Sequence, residues 1–427
     1  MLQMKVAARI LFGIALSVLL GTLCMILVYA LPMGSMQKHA QESVRLYEYE
    51  EDYSAWATGS EQSKLDNFTD AIMVMNAVHP LEQGAIYSAM MNFRWGTVPE
   101  SSQTKTFVKA MHHEELSDLP YPRYWHGYLL WLKPLLAATQ VQHIRVLNSY
   151  GVFLFFVAAM LMVRKKLDAS YALAFAFAIM TMNIVTISMS FQNSCVYYIM
   201  MVSVLVMLCR NDGLFSGDRY PYFFAAIGIC VAFFDFLTYP VASLGIPLMM
   251  WYVLNRGQIA ERGTLFCVKS MTGLMGAWAM GYVGMWSGKW LVSWLLTGYN
   301  TIGEAMHQIG HYAIPHSDSL VSAGWDITWV SAVQRNISTM GQGPVRIFFF
   351  GLLLYLVYLL VIKRRRILFS WGRLLPYAIV AALPFCWYVA CSGHSHIHAF
   401  FTYRGLSVAV FAILCFVVGN MGNTDSS

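Results

Sequence analysis

Apolar runs of about 20 residues, broken by short charged clusters, recur along the whole 427-residue chain. This is the pattern of helices that cross a hydrocarbon layer about 30 Å thick. The first run, Ile10 to Leu31, follows Lys5 and Arg9. It is long for the core of a signal peptide and lacks a small-x-small cleavage site, so it reads as an uncleaved first helix. Val146 to Val163 stops at Arg164-Lys165-Lys166, and Ala169 to Cys209 then holds no charge over 41 residues. As a helix rising 1.5 Å per residue that stretch is about twice a bilayer thickness. It must fold back, and Ser190 to Ser194 is the expected place, with Gln192 and Asn193 satisfying the exposed backbone of the turn. A second hairpin, Tyr220 to Leu254, turns at Asp235-Phe236-Leu237-Thr238-Tyr239-Pro240. Runs at 266–287, Ile347 to Ile362, Leu374 to Gly393 and Gly405 to Met421 bring the expected count to ten.

Two long polar stretches interrupt this rhythm. The first, residues 32–145, carries 13 of the 22 acidic residues between Glu42 and Asp118. Within it, Tyr121 to Tyr128 leads into Leu129 to Thr139, too short to span and aromatic enough to lie at headgroup depth. The second, Gly288 to Arg346, holds Lys289, Glu304, His307, His311, His316, Asp318, Asp326 and Arg335, and its Trp290 to Leu296 segment is expected to lie in the interface. The predicted fold is an all-α polytopic membrane protein with a large first extracytoplasmic loop containing interfacial helices. It divides into residues 1–145 (first helix and acidic loop), 146–287 (central spans), 288–345 (second loop) and 346–427 (closing spans with a histidine-rich turn).

Composition agrees, since 58% of residues are hydrophobic and only 12% charged, against roughly 25% charged in soluble proteins. Ten spans place +10 of net charge on the N-terminal side of the membrane and −4 on the other. Short positive loops stay in the cytoplasm, so both termini are expected on the cytoplasmic side. The net charge of +6 then reflects topology and anionic lipid headgroups, and nothing points to nucleic acid. All twelve histidines fall on the outer side of this map. Imidazoles and carboxylates handle protons near neutral pH, which makes the outer face the working face. The eight cysteines lie scattered in apolar segments without a C-x-x-C pair and read as small buried hydrophobes.

Asp66 and Asp70 stand four apart in Asp66-Asn67-Phe68-Thr69-Asp70, one face of a helix that Asp66 or Asn67 would cap. Phe68, Ile72, Met73 and Met75 make that helix half-buried. A carboxylate beside a low-dielectric wall has a raised pKa suited to accepting a proton. Asp235, between apolar helices, is costly unless functional. Arg123 and His126 sit in the aromatic stretch of the first loop. The last loop places His394, His396 and His398 at alternate positions, with Arg404 the only charge before the final span. A guanidinium with imidazoles suits a phosphate. Histidine also ligates metals, yet no cysteine or carboxylate spacing completes a site here, so dependence on a divalent ion such as Mg or Mn is left open. Asn67-Phe68-Thr69 and Asn336-Ile337-Ser338 match the glycan-acceptor sequon, as chance matches do.

The arrangement resembles the multi-spanning GT-C glycosyltransferases, and the strings at Phe191 to Ser194, Asp235 to Pro240 and His394 to Arg404 are similar to those of a bacterial branch of that group. The match is to architecture, without a diagnostic motif. It implies transfer of a sugar from a polyprenyl-phosphate-linked donor to a glycan or other hydroxyl acceptor on the outer face. Asp66 or Asp70 would be the base, His396, His398 and Arg404 would receive the departing phosphate, and Arg123 and His126 would contact donor or acceptor. The rivals are a polysaccharide polymerase or ligase using a longer lipid-linked glycan, a lipid-linked-glycan transporter, and a structural scaffold. A transporter would need broken helices and charges at the bilayer midplane, where this chain is nearly free of ionisable groups.

Overall fold

The computed structural model describes residues 2–81, 83–97, 102–313, 327–343, 345–357, 365–367 and 369–423. The second-loop residues His316, Asp318 and Asp326 lie outside them. Helix α1 (Leu2–Tyr29) opens the chain. The first loop follows as α2 (Gly34–Glu42), α3 (Val44–Tyr49), α4 (Asn67–Val78), α5 (Gly84–Met91), α6 (Gln103–Met111) and α7 (Leu129–Ala138). Its strands β1 (Arg94–Gly96) and β2 (Ser117–Leu119) pair antiparallel. The central helices are α8 (Val141–Lys166), α9 (Ala169–Met180), α10 (Ile184–Met189), α11 (Phe191–Ser216), α12 (Tyr220–Phe234), α13 (Val241–Arg262) and α14 (Thr264–Thr297). After α15 (Thr301–Ala313) come α16 (Trp329–Met340), α17 (Val345–Val357), α18 (Trp371–Ala390), α19 (Ser392–Ile397), α20 (Ala399–Thr402) and α21 (Ser407–Asn420). A second ribbon pairs β3 (Arg365–Ile367) with β4 (Met421–Asn423).

This is an all-α, multi-pass membrane protein. Five helices are long and apolar enough to cross a bilayer, six if α16 and α17, bent by 81° at their junction, count as one. The expected ten runs exceed that number partly because α9 and α12, with 12 and 15 residues, reach only about 18 and 22 Å. Outward-facing side chains carry the membrane signature. Leu11, Phe12, Leu19 and Leu23 of α1 and Leu154 and Leu161 of α8 are exposed leucines or phenylalanines, an arrangement that water would penalise and lipid does not.

Small residues bring helices close, as in other membrane bundles. A Cβ on Gly228 of α12 would stand 2.1 Å from the Trp278 carbonyl of α14. A Cβ on Gly288 would meet the Val18 side chain of α1 at 2.2 Å. The opening helix is therefore built into the bundle along α14. That helix also corrects an expectation. The run expected to end at 287 continues through Trp290 to Leu296 as one helix, α14, which runs 34 residues until Gly298 ends it at φ +73°.

The fold-back inside the uncharged stretch falls at 181–190, earlier than expected. Asn183, at φ +56°, caps α10 by accepting from the Thr186 N–H. Phe191 to Ser194 already belong to the first turn of α11. The second break lies at 235–240, as predicted.

Candidate functional site

The site grows from the start of α4. Asp66 is its N-cap, Oδ1 accepting from the Thr69 N–H at 3.2 Å, and Asp70 lies in its first turn. Both are buried, not half-exposed. The four first N–H groups of a helix lack intrahelical partners, and at α11 Asp70 supplies what is missing. Its carboxylate accepts from Phe191 N at 3.0 Å, Gln192 N at 3.0 Å and the Ser190 hydroxyl at 3.4 Å. Arg145 stands 3.8 Å away and also holds Glu50 at 2.6 Å and Asn67 at 2.8 Å. Gln192 and Asn193 therefore do not satisfy this turn with their side chains, because a carboxylate at the positive end of the helix does so better. Burial lifts Asp70 to about 6, while Arg145 and the two N–H groups hold it from rising further.

Asp66 is differently placed. Its Oδ2 is buried and has no hydrogen-bond partner. Burial first, and then the neighbouring Asp70 charge, push its carboxyl up to about 7, against the pull of Thr69 and of the Arg404 guanidinium. Arg404 has no exposed surface. Nε donates to the Met182 carbonyl at 2.9 Å and Nη1 to the Phe400 carbonyl at 3.3 Å, while Nη2 has no partner. Its guanidinium lies 5.2 Å from the Tyr403 ring and 5.9 Å from that of Tyr239, and Tyr239 donates its hydroxyl to the Asn193 carbonyl. Buried polar atoms without partners also occur at Gln192 Oε1, both amide atoms of Asn193, Ser392 Oγ and Ser395 Oγ. Each such group costs about 1–3 kcal/mol unless a ligand or water completes it.

The acid-bearing segment meets both the second loop and the closing segment. Gln62 donates to the carbonyls of Thr339 and Met340, both at 2.7 Å, and Glu61 pairs with Arg335 at 3.6 Å. Tyr53 stacks on Phe68 and meets Phe400 edge-on at 5.3 Å.

The remaining candidates have other partners. His394 Nε2 bonds to the Leu237 carbonyl at 2.7 Å, and its ring lies 4.7 Å from that of His398, which stacks on Phe401. Burial lowers His394 to about 4 and His398 well below its usual value. Burial thus disfavours the charged form of both imidazoles, which leaves the Arg404 guanidinium as the fixed cation of this turn. His396 turns the other way, to Ser331 at 3.1 Å and Arg335 at 3.3 Å. Its replacement by alanine should leave activity near wild type in any transfer assay.

Asp235 closes its own turn, accepting from the Thr238 N–H at 2.9 Å and hydroxyl at 2.6 Å, and so positions Tyr239. Arg123 pairs with Glu304 at 2.7 Å over the Tyr121 ring. His126, at φ +57°, is buried between the Tyr128 hydroxyl and the Tyr121 carbonyl, and burial holds its pKa well below normal. Both sequon asparagines are buried and bonded, Asn67 to Glu50, Glu51 and Arg145, Asn336 to Ser395 and Thr402, so neither offers a glycan acceptor.

Comparison with family models, with curated proteins and with solved structures returns no match for this chain. The site stands on its own geometry. Among the described residues no three His, Cys, Asp or Glu side chains converge as a metal-ligand set, and the aspartate pair lacks a third ligand. All eight cysteines are free thiols.

Several participants escaped sequence reasoning. Arg145 marks the start of an apolar run and looks like an anchor. Lys133 and Lys289 are buried helix-ending cations, donating to the carbonyl of Ala77 at the end of α4 and to those of Ala89 and Met90 at the end of α5. A lysine inside an apolar stretch was the available signal, since such a charge at a helix C-terminus complements the dipole.

Proposed function

We propose that the chain is a GT-C-like membrane glycosyltransferase moving a sugar from a polyprenyl-phosphate donor to an acceptor hydroxyl. The single observation that carries this reading is that Asp66 Oδ2 and Arg404 Nη2 are both buried without a protein partner, on side chains close enough for the guanidinium to draw the Asp66 carboxyl down. In this mechanism Asp66 takes the proton of the acceptor hydroxyl. The freed oxygen bonds to the anomeric carbon as the bond from that carbon to the phosphate oxygen breaks. Arg404 meets the charge growing on the departing lipid phosphate, the place where fixed electrostatics matter most. Asp70 has both oxygens engaged, so Asp66 acts as a lone carboxylate. A single displacement with inversion at the anomeric carbon follows.

An apolar cleft of about 720 Å³ between α9, α17 and α21 supports a lipid-borne donor. It is lined by Leu173, Phe177, Met180, Ile347, Gly351 and Val417. Met180 stands two residues from Met182, whose carbonyl anchors Arg404. An isoprenoid tail lying there would keep its apolar surface out of water while its phosphate reached the guanidinium. We further propose ten passes, with α9 and α12 among them as short spans, both termini cytoplasmic, the aspartates and Arg404 on the outer face of a bacterial plasma membrane, and surrounding lipids as the other partners.

The test is incubation of purified protein with polyprenyl phosphates carrying glucose, galactose, mannose or arabinose, scoring release of the lipid phosphate and a glycosylated acceptor. Extended products would instead favour a polymerase or ligase. Absence of release from every donor would sink the reading. Arg404→Lys, which keeps the charge but loses the planar fork, should lower transfer about 10- to 100-fold.

A further inference from the structure

Asn193 is fully buried in the first turn of α11, and both its amide oxygen and its amide nitrogen lack partners. The preceding residue, Gln192, gives its N–H to Asp70 and leaves its own side-chain oxygen unpaired. On the other side the Asn193 carbonyl takes the hydroxyl of Tyr239, whose ring lies under Arg404. The backbone of this turn therefore links the aspartate end of the site to the arginine end, and the Asn193 carboxamide is buried on that link. A leucine has nearly the same shape and would avoid the cost of two stranded polar groups. Asparagine at this position makes physical sense when something else completes its bonds.

The chemistry of that partner is narrow. It must offer a hydrogen-bond donor and an acceptor together. A phosphate offers acceptors only and is already matched by Arg404, and an isoprenoid chain offers neither. A hydroxyl group offers both, as water does, and of the two only the hydroxyl arrives with the donor. We infer that the Asn193 carboxamide, with Gln192 beside it, reads ring hydroxyls of the donor's sugar and so helps to set which sugar is accepted. This assignment rests on the donor reading given above.

The experiment compares thermal shifts of wild type and Asn193→Leu in detergent, with bare polyprenyl phosphate and with the same lipid carrying each sugar of the panel. Ligand-free Asn193→Leu should melt higher than wild type, since its stranded polar atoms are gone. Bare lipid phosphate should stabilise both proteins alike. The best sugar-bearing donor should add a further shift in wild type alone, matching about 10- to 100-fold weaker donor binding in the variant. Asn193→Ala, free of any overpacking, repeats the binding comparison. A sugar increment that survives in both variants overturns the assignment and leaves the donor reading standing. A lower melting point for ligand-free Asn193→Leu overturns it too, because the amide then has a structural partner such as ordered water. If no lipid shifts wild type, the donor reading falls and takes this assignment with it.

Discussion

Asp66→Asn should cut sugar transfer by about 100- to 10,000-fold, the usual contribution of a general base, while donor binding persists. The carboxamide keeps the size of the side chain and its Oδ1 cap on Thr69, so α4 still starts where it does. What disappears is the basic oxygen, the one atom of that carboxyl without a protein partner. The wild-type rate should carry the signature of the same group. A base whose pKa stands at about 7 is half-protonated at neutral pH, so the rate rises through pH 7 and levels off above it. Stability moves in the opposite direction. The folded chain keeps a proton that the unfolded chain releases near its ordinary value of 3.8, so this group's contribution to stability is full below that pH and is lost as pH climbs through 7. Asp66→Asn removes that contribution and should melt higher than wild type at pH 8. Full transfer by this variant across the pH range would end the assignment.

How much of this was legible in the sequence depends on how local each cause is. The break at 235–240 and the cap at Asp66 follow from neighbours a few residues away, and both were readable. Arg404, a lone charge before an apolar run, stood out for the same reason. The length of α14 was misjudged because aromatic residues at headgroup spacing look alike whether a helix stops there or continues. The histidines were read as one group with Arg404, but the burial that disfavours the charged forms of His394 and His398 arises from segments distant in the chain and could not be read from their spacing. The division of labour between Asp66 and Asp70 was invisible for a related reason. Asp70 is occupied by α11, 121 residues onward, while Asp66 is left open. Asn193, read as a turn-satisfying side chain, was displaced from that task by the same carboxylate.

Asp70→Asn supplies the second large effect, and it should appear in the fold before it appears in the chemistry. Burial costs this carboxylate more than its partners return, which is why its pKa stands near 6. Its removal is nonetheless expensive, because those partners stay behind. An asparagine oxygen replaces one of the two acceptors, but its amide nitrogen then faces a second N–H of α11, donor against donor. Arg145, 92% buried at its side chain, keeps only Glu50 as an anionic neighbour. Breaking a buried charge pair on one side typically costs about 3–5 kcal/mol. The expected result is a melting temperature lowered by several degrees and loosening of the α10–α11 junction, seen as faster amide exchange at Phe191 and Gln192. Transfer should fall because that junction carries Asn193, and through it Tyr239, toward Arg404. The two aspartates thus predict opposite signs. Loss of Asp66 stabilises and silences, while loss of Asp70 destabilises, with activity falling in step with the fold. An Asp70→Asn protein that melts and exchanges like wild type yet transfers nothing would reverse the roles and make Asp70 the base. The discriminating quantity is therefore the ratio of activity to folded fraction, measured for both variants in one detergent at one pH.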